Sequence, residues 1–336
     1  MRLASHTRAA IVGVAGPVLL PAEIDLLRDH PPAGVILFAR NIREPAQLRD
    51  LMGALRRVLP EGAVLMVDQE GGRVARLRPP NWRAHPPAAV LGRLFASDPR
   101  AAIRAAWLSG ALIGLDCAAA GFSAAAAPVL DLSIPGAHDV IGDRALAGDP
   151  AAIGRLGRAV AAGLLAAGIQ PVGKHAPGHG RARVDSHLAL PRVEANDLEA
   201  DILPFALNCD LPWLMTSHIV YPAFDPIWPA TLSHAVINGV IRGRIGFKGI
   251  LVTDDLAMKA LTGAPLTLAA RALAAGCDVA LFCSGDLDAN RAVLSGCPVL
   301  TEQAADRLSA ARAAAAVRHV VLDPAALAAE RDRLLA

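Results

Sequence analysis

Short apolar runs alternate with longer amphipathic segments from one end of the chain to the other. Eight of the runs have strand length, and most are continuously apolar, which is typical of parallel strands covered on both faces. The predicted strands are Ala10–Ala15, Gly34–Ala39, Val64–Asp68, Ala127–Asp131, Gln170–Lys174, Trp213–His218, Ile250–Asp254 and Val279–Cys283. Several of the segments between them begin at Asp, Ser or Pro, as helices do. The predicted helices include Pro21–Asp29, Pro45–Val58, Pro150–Ala167, Asp197–Asn208, Ser233–Arg244 and Pro265–Ala275.

Eight strand–helix pairs predict an α/β protein with a single (β/α)8 barrel of the TIM type. The length of 336 residues fits the typical size of about 250 residues with insertions. We expect one domain over residues 1–336, with the barrel core at about residues 9–295. Residues 301–336 predict two further helices, Glu302–Val317 and Pro324–Leu335, that pack on the barrel and complete its outer ring. A doubly wound sheet is the alternative fold, but no Gly-x-Gly-x-x-Gly follows the first strand.

The composition limits the classes of partner. The chain is 54% hydrophobic and only 4% aromatic, so its core must be built largely from Ala, Val, Leu and Ile. The net charge of +2 comes from 33 basic and 31 acidic residues without a run of like charge, which argues against a nucleic-acid or membrane partner. Five cysteines without Cys-x-x-Cys spacing indicate neither a disulfide framework nor a zinc site, and they favour a reducing compartment.

The amino-terminal stretch Met1–Leu20 resembles a secretory signal only loosely. Its apolar part is broken by Gly13, Gly16 and Pro17, and Ala9–Gly16 is needed as the first strand. No other segment is expected to reach the roughly 20 uninterrupted apolar residues of a membrane span, because Pro, Gly, Ser or a charge interrupts each one. We therefore expect a soluble, cytoplasmic protein, and we expect it to be a monomer.

Polar side chains follow seven of the apolar runs at their carboxyl ends. In a barrel these ends meet at one face, where side chains from several strands build a site. The side chains are Asp68, Asp131, Lys174 with His175, His218, Asp254 and, more weakly, Arg40 and Ser284. The sequence therefore predicts a site with several charged groups at one end of the barrel.

The segment from Lys174 to His187 is the densest in reactive side chains, with three histidines, a lysine and an aspartate in fourteen residues. Such a loop can move while its polar ends stay directed at a ligand. Asp185 and His187 are two apart, so in an extended conformation they share one side. There the carboxylate could hold the imidazole's tautomer and raise its basicity. A Gly-rich surface loop with incidental histidines is the alternative.

The run Gly249–Asp255 ends in two adjacent acids. Neighbours in a strand point to opposite sides, so we expect only one of Asp254 and Asp255 to face the barrel mouth, as a metal ligand, a base or a nucleophile. The other is expected to cap the next helix or to pair with a neighbour. A metal-dependent hydrolase is an alternative, because Asp68, Asp131 and Asp254 could converge on one cation.

Asp68 is followed by a pair of glycines, which lets backbone approach a ligand closely. An aspartate that accepts two hydroxyl hydrogens, beside an arginine that donates, suits the adjacent OH groups of a sugar. Structural ion pairing among Asp68, Arg73 and Arg76 is the alternative.

Five motifs lie in series between about Gly34 and Ser284. They are Asp68-Gln-Glu-Gly-Gly-Arg-Val, Ala127-Pro-Val-Leu-Asp131-Leu, Val140-Ile-Gly-Asp-Arg144, Lys174-His-Ala-Pro-Gly-His-Gly with Asp185-Ser-His187, and Gly246-Phe-Lys-Gly-Ile-Leu-Val-Thr-Asp254-Asp-Leu-Ala-Met258. In order and spacing they resemble the bacterial β-N-acetylglucosaminidases of glycoside hydrolase family 3. Members of that family usually have Phe and Asp where this chain has Ala176 and Arg181.

The resemblance implies a TIM-barrel enzyme that removes a terminal β-linked N-acetylglucosamine (GlcNAc). It implies Asp254 as the nucleophile, His187 as the general acid/base and Asp185 as the residue that orients His187. The residues that it implies for binding the sugar are Asp68, Arg76, Arg144, Lys174 and His175. No metal and no cofactor are expected.

The resemblance further implies a substrate and a course of reaction. The substrate would be the muropeptide GlcNAc-1,6-anhydroMurNAc, cleaved in peptidoglycan recycling. Retaining glycosidases need an ionised carboxylate and a proton donor, and a histidine, with an unperturbed pKa of about 6.5 against about 4.3 for Glu, needs little tuning to donate. The alternatives are a substrate-assisted hexosaminidase, a phosphorylase, a hexosaminidase directed at chitooligosaccharides and a non-catalytic muropeptide binder.

Overall fold

The strands close into one parallel barrel. The structure, a computed structural model, describes residue 3 and residues 6–336. Each strand pairs with the next in chain order, and the last pairs with the first, which confirms the predicted (β/α)8 fold. The strands are β1 (Arg8–Gly13), β2 (Pro32–Leu37), β3 (Val64–Val67), β4 (Ala124–Ala125), β5 (Gln170–Ala176), β6 (Trp213–Thr216), β7 (Ile250–Asp255) and β8 (Val279–Phe282).

Helices surround the barrel. In the described residues the longer ones are α1 (Pro21–Asp29), α2 (Pro45–Val58), α3 (Ala89–Ser97), α4 (Pro99–Ala120), α5 (Pro150–Ala166), α6 (Glu199–Ala206), a π-helix (Ala235–Arg244), α7 (Pro265–Ala275), α8 (Leu287–Gly296), α9 (Glu302–Arg318) and α10 (Pro324–Leu335), and there are short 3-10 helices at Ala39–Asn41, Gly142–Arg144 and Ala230–Leu232. The helices α1, α2, α7 and α10 have the predicted bounds. Each begins with proline, whose missing N–H costs nothing in the first turn of a helix.

The predicted fourth strand, Ala127–Asp131, lies too late in the chain. The ladder of β4 contains only Ala124–Ala125, and the chain then continues beside β5 as an irregular segment in which Pro128 has no N–H to donate. Residues 124–130 are apolar throughout, so the hydrophobic pattern could not locate the strand among them. As a result Asp131 lies beyond the sheet, next to the end of β5.

Helices α3 and α4, between β3 and β4, do not follow from the hydrophobic pattern. Helix α4 is rich in Ala and Gly on every side because it packs on α3, α5 and α10. A helix covered on several sides has no polar face by which to recognise it. Its start is fixed by Asp98, whose carboxylate accepts the backbone N–H groups of Arg100 and Ala101 at 3.0 Å.

Helix α4 is also the single helix of the described residues that could cross a membrane by length and composition. Arg104, Ser109 and Asp116 nevertheless interrupt it, so it contains no uninterrupted apolar run of about 20 residues, in keeping with the expectation. In the fold, 61% of its most apolar window is buried inside the protein. Gly110 of α4 and Gly163 of α5 leave no room for a Cβ against the opposing backbone, so the two helices pack closely. Burial in the protein interior accounts for the apolar composition of α4.

Helix α9 closes the amino-terminal end of the barrel and does not complete the outer ring as expected. Its Leu308 and Ala311 belong to the same buried apolar cluster as the interior side chains of the barrel, such as Trp213. Arg307 forms an ion pair at 2.7 Å with Asp278, which immediately precedes β8. Helix α10 packs on α4 instead. The opposite end of the barrel, where the strands finish, is left open for a site.

Candidate active site

A cavity of about 420 Å³ lies at the carboxyl ends of the strands, a volume typical of small-molecule sites. Residues as far apart in sequence as Asp68 and Asp254 meet on its wall. The predicted site residues that line it are Asp68, Arg76, Arg144, Lys174, His175, His187 and Asp254. The remaining one, Asp185, contacts His187. Active sites of TIM barrels are built at this end of the fold.

One wall of the cavity carries a network of alternating charges. Asp68 accepts hydrogen bonds from Lys174 at 2.9 Å and from Arg76 at 3.1 Å. Lys174 also lies 2.6 Å from Glu70, and Glu70 accepts two hydrogen bonds from Arg144, both at 2.9 Å. The network brings the loops after β3 and β4 together with β5. It includes Glu70, which the sequence motif contains but for which no partner could be deduced.

The charges of this network are held in their ionised forms. Burial raises the pKa of the Asp68 carboxyl, but the nearby cations Lys174 and Arg76 outweigh burial and leave that pKa well below its usual range. The pKa of Glu70 is lowered in the same way, since burial raises it while Lys174 and Arg144 lower it more. The wall therefore presents fixed donors and acceptors to a polar ligand, and a sugar with several hydroxyl groups is such a ligand.

His175 is oriented by the buried carboxylate of Asp131. The distance between His175 Nδ1 and Asp131 Oδ2 is 2.6 Å. The other oxygen of Asp131 accepts the backbone N–H groups of His175 at 3.1 Å and His179 at 2.7 Å. Burial raises the pKa of Asp131, but attraction to His175 outweighs it and lowers that pKa to about 2. The carboxylate is thus fully used in holding the two histidines.

The alternative of a metal centre formed by Asp68, Asp131 and Asp254 does not match this geometry. Asp68 is paired with cations and Asp131 is turned to the histidines of β5 and its loop. Among residue 3 and residues 6–336, no group of three His, Cys, Asp or Glu side chains is arranged to hold a metal ion.

Asp254 and Asp255 both have atoms in the wall of the cavity, but the Asp255 carboxylate is bonded to backbone, in keeping with the expectation that one of the two acids pairs with a neighbour. The pairing of β7 with β8 shifts in register between Val252 and Asp255, so the strict alternation of a strand is lost there. Asp255 accepts the backbone N–H groups of Ala257 and Cys283, each at 2.9 Å. Its carboxylate therefore fastens the loops that follow β7 and β8.

The pKa values of the two carboxyls are shifted in opposite directions. Burial raises the pKa of Asp254, but the positive charges of His175 and His218 outweigh burial, so its net pKa is lowered. The backbone N–H of Asp255, at 2.8 Å from Asp254 Oδ1, acts in the same direction. Burial raises the pKa of Asp255, and there it prevails over the hydrogen bonds from Ala257 and Cys283. Asp254 is therefore the more readily ionised carboxyl of the pair.

Asp185 and His187 form a pair at the cavity mouth, as predicted. The distance between Asp185 Oδ1 and His187 Nδ1 is 2.8 Å, and the same oxygen accepts the backbone N–H of His187 at 2.8 Å. This geometry is an Asx turn and not the extended segment expected from the spacing. The carboxylate fixes the Nδ1 side of the ring, so the other nitrogen is free to meet a ligand. The His187 side chain is 62% exposed.

The structure separates the remaining polar residues at strand ends into two groups. His218 is buried and bonds to Thr231 Oγ1 at 2.7 Å and to the Asp255 carbonyl at 2.9 Å, so it supports the site from behind. Arg40 and Ser284 line the cavity. The Arg40 guanidinium donates to the carbonyl groups of Val14 and Cys283, at 3.0 and 2.5 Å, and ties together the loops after β1, β2 and β8.

Several lining side chains were not singled out as site residues from the sequence. Phe38 lies with its ring centroid 5.0 Å from the Arg40 guanidinium carbon and 5.4 Å from that of Arg76, a cation–π arrangement. The others are Ile36, Val140, Ile141, His179, Ser186, Met215, Met258, Leu281 and Cys283. His179 and Ser186 stand inside the recognised motif, but their contact with each other could not be read from it.

The two departures from the family pattern have local explanations. Ala176 is fully buried as the last residue of β5, where its carbonyl accepts the N–H of Ser217. Arg181 donates to the buried carboxylate of Asp201 on α6 at 2.7 Å. The arginine thus fastens the loop after β5 to a neighbouring helix.

Comparison with known proteins agrees with this geometry. The sequence model of the glycosyl hydrolase family 3 N terminal domain matches residues 21–321. The chain belongs to this family. It is 38% identical over 317 residues to a beta-hexosaminidase of Bordetella parapertussis, a match that covers 92% of this chain and 86% of the relative. It is 43% identical over 281 residues to a beta-hexosaminidase of Alkalilimnicola ehrlichii, covering 82% and 80%.

Solved structures of family members share the fold over its whole length. Native NagZ from Neisseria gonorrhoeae is 30% identical with a TM-score of 0.88, and the match covers 100% of both chains. NagZ from the same organism in complex with N-trifluoroacetyl-D-glucosamine gives a TM-score of 0.86 at 30% identity, with 99% of each chain covered. The protein is a glycoside hydrolase, a β-N-acetylhexosaminidase, and the predicted membership of family 3 is confirmed.

Proposed function

We propose that this β-N-acetylhexosaminidase is a retaining exo-β-N-acetylglucosaminidase with Asp254 as nucleophile and His187 as general acid/base. The observation that supports this most is that both side chains line one cavity, although they come from different strand ends. Asp254 is ionised by its surroundings, and His187 is held at one ring nitrogen by Asp185. One anion and one proton donor in one pocket are what a retaining glycosidase requires.

The reaction then proceeds in two displacements. First, Asp254 attacks the anomeric carbon, and His187 donates a proton to the glycosidic oxygen as the bond to the leaving group breaks. Second, His187 takes a proton from water, which attacks the same carbon and releases Asp254. Asp185 holds the Nδ1 side of the His187 ring in both steps. The product keeps the β configuration because the carbon is inverted twice.

The charged wall binds the GlcNAc unit. Asp68 accepts hydrogen bonds from the sugar, while Arg76, Arg144 and Lys174 donate them. Glu70, which does not line the cavity, holds Arg144 and Lys174 in place. His175, oriented by Asp131, completes the set of sugar-binding side chains with its Nε2. Groups that are already positioned need no reordering when the sugar binds, which favours affinity.

The natural substrate that we propose is GlcNAc-1,6-anhydroMurNAc linked to peptide, cleaved in the recycling of peptidoglycan in the cytoplasm. The similarity over the full chain to NagZ of Neisseria gonorrhoeae supports the GlcNAc part of this substrate, since that protein was solved in complex with N-trifluoroacetyl-D-glucosamine. The five cysteines are free in the structure, as expected in a reducing compartment.

The stereochemistry and the substrate are tested together by product analysis. Proton NMR of the first-formed sugar from a 4-nitrophenyl N-acetyl-β-glucosaminide is expected to show the β anomer before mutarotation. A first-formed α anomer would overturn the double displacement. Turnover is then compared on GlcNAc-anhydroMurNAc-peptide and on chitobiose, with and without phosphate. Exclusive cleavage of chitobiose would remove the recycling substrate, and a requirement for phosphate would indicate phosphorolysis.

A further inference from the structure

The Asp185–His187 pair has no fastening of its own to the barrel. Within the described residues, the hydrogen bonds of both side chains stay inside the segment 185–187, and His187 is largely exposed. A proton donor must nevertheless stand within about 3 Å of the glycosidic oxygen to act. Some other residue of the loop must therefore hold the imidazole at the right distance from Asp254.

Ser186, between the two, makes the contacts that the pair lacks. It is buried while its neighbours are not, and its Oγ lies 3.0 Å from Nε2 of His179. Its backbone carbonyl accepts the N–H of Ala260 at 3.2 Å. Ala260 lies in the loop after β7, six positions beyond Asp254. Ser186 is thus the point at which the loop that carries His187 touches both the β5 side and the β7 side of the cavity.

His179 is itself held rigidly. Its backbone N–H is bound by the buried Asp131 at 2.7 Å, and its ring packs against the edge of His175 with 5.6 Å between centroids. Tyr221 donates to the carbonyl of Gly178, next in the chain, at 2.6 Å. Among the residues that the structure describes, Nδ1 of His179 has no hydrogen-bond partner, so the bond to Ser186 is the one its ring makes.

The ring of His179 is also suited to a steady hydrogen bond. Burial lowers its pKa to about 4, and the charge of His175 acts in the same direction, so the ring is neutral near pH 7. A serine hydroxyl both donates and accepts, so it can bond to either neutral tautomer at Nε2.

We propose that Ser186 and His179 are positioning residues whose mutual hydrogen bond holds His187 over the bond to be cleaved. The inference rests on the acid/base role proposed for His187. Neither residue exchanges a proton with the substrate. Their contribution is geometric, and a displacement of about 1 Å in a reacting group can cost on the order of 100-fold in rate.

The dependence of rate on leaving group tests this inference. A phenol leaves only with protonation, whereas a dinitrophenolate leaves without it, so only the first substrate senses the position of His187. Ser186→Ala is expected to lower kcat/KM about tenfold for a phenyl N-acetyl-β-glucosaminide and less than about twofold for the dinitrophenyl analogue. Equal losses on both substrates, or no loss on either, would overturn the proposal.

Two variants with side chains of the same shape, Ser186→Thr and Ser186→Val, distinguish loss of the hydrogen bond from the effects of an added or missing methyl group and of misfolding. Ser186→Thr keeps the hydroxyl and Ser186→Val has the same shape without it, so only the valine variant is expected to show the leaving-group dependence. If Ser186→Val and Ser186→Thr show the same dependence on the leaving group, the hydrogen bond to His179 is not its cause. Ser295→Ala, on α8 with a hydroxyl bonded to its own helix, is the control and is expected to be unchanged on both substrates.

The variant His187→Ala tests the acid/base role of His187 separately from the positioning role of Ser186. If His187 is the acid, its alanine variant loses far more activity on the phenyl substrate than on the dinitrophenyl one. If the loss depends on the leaving group in His187→Ala but not in Ser186→Ala or Ser186→Val, the positioning role is rejected and the acid/base role stands. Its absence in His187→Ala rejects the acid/base assignment itself.

Discussion

The active site contains the same carboxylate–imidazole pair in two different surroundings. Asp131–His175 is buried, with 2.6 Å between the atoms and further bonds to backbone. Asp185–His187 is at the cavity mouth, where the His187 side chain is largely exposed. The buried pair cannot reorganise cheaply, so it suits the recognition of a fixed sugar ring. The exposed pair can exchange protons with water, as an acid/base that acts in both half-reactions must do.

The role of Asp185 is tested by Asp185→Ala, with Asp185→Asn as the control that keeps the size of the side chain but not the charge. Without the carboxylate, the protonated imidazole of His187 loses its anionic partner. We expect kcat to fall at least 10-fold, which is part of the factor of about 10²–10⁴ that general acid–base catalysis supplies. The loss is expected in both variants, and an unchanged kcat in both would refute the pairing.

At the scale of elements, the site depends on how the strands end. Strand β5 continues through His175 to Ala176, whereas β4 stops at Ala125 and leaves Asp131 on irregular backbone. Asp131 can therefore reach over the end of β5 and bind residues on both sides of the turn that follows. Sequence patterns predict which strand precedes a motif, but the last paired residue is decided by neighbouring strands.

The stability of this region is expected to depend on pH through His179. Its pKa is lowered to about 4 by burial, against about 6.5 in the unfolded chain. Below about pH 6.5 the unfolded chain binds a proton at His179 that the folded protein does not bind. The contribution of His179 to the free energy of unfolding is therefore fully present above about pH 6.5 and is lost as the pH falls toward 4. Between pH 7.5 and 5.0 this amounts to about 2 kcal/mol.

Urea unfolding of the wild type and of His179→Gln at these two pH values measures the effect. Glutamine can donate to Ser186 but does not titrate. The wild type is expected to lose about 2 kcal/mol more free energy of unfolding than the variant between pH 7.5 and 5.0. His218, also buried with a lowered pKa, is present in both proteins, so it cancels in the difference. An equal loss in both would contradict the account.

At the scale of the molecule, the two ends of the barrel carry different tasks. The cavity and its charged groups lie where the strands finish, while α9 closes the other end with Leu308 and Ala311. Separation of this kind is general in TIM barrels, in which the amino-terminal face serves stability. Changes under α9 should therefore affect folding without affecting chemistry.

Leu308→Ala tests this division. Removal of a buried leucine side chain costs about 2–5 kcal/mol, so the free energy of unfolding is expected to fall by that amount. The kcat/KM of the folded variant is expected to stay within about twofold of the wild type, because the cavity is at the opposite end. Val317→Ala on the same helix is the control, since Val317 is 85% exposed. A large loss of kcat/KM in fully folded Leu308→Ala would contradict the division of tasks between the two ends of the barrel.

The sequence predicts the barrel, the order of its strands and the side chains that gather at its mouth, because most of its motifs directly follow an apolar run. It does not predict α4, whose burial on several sides removes the polar face. Nor does it reveal that Glu70 binds Arg144 or that Ser186 binds His179. Such pairs depend on distances between loops, which spacing along the chain does not encode.

The covalent role of Asp254 is the central claim, and trapping tests it most directly. A 2-deoxy-2-fluoro glucoside with a dinitrophenyl leaving group has no acetamide, so it can label the enzyme only through a side chain. Peptide mass spectrometry is expected to find the fluorosugar on Asp254, and Asp254→Asn is expected to remain unlabelled. A label on Asp255, or no label on enzyme that hydrolyses a 4-nitrophenyl N-acetyl-β-glucosaminide, would contradict the account.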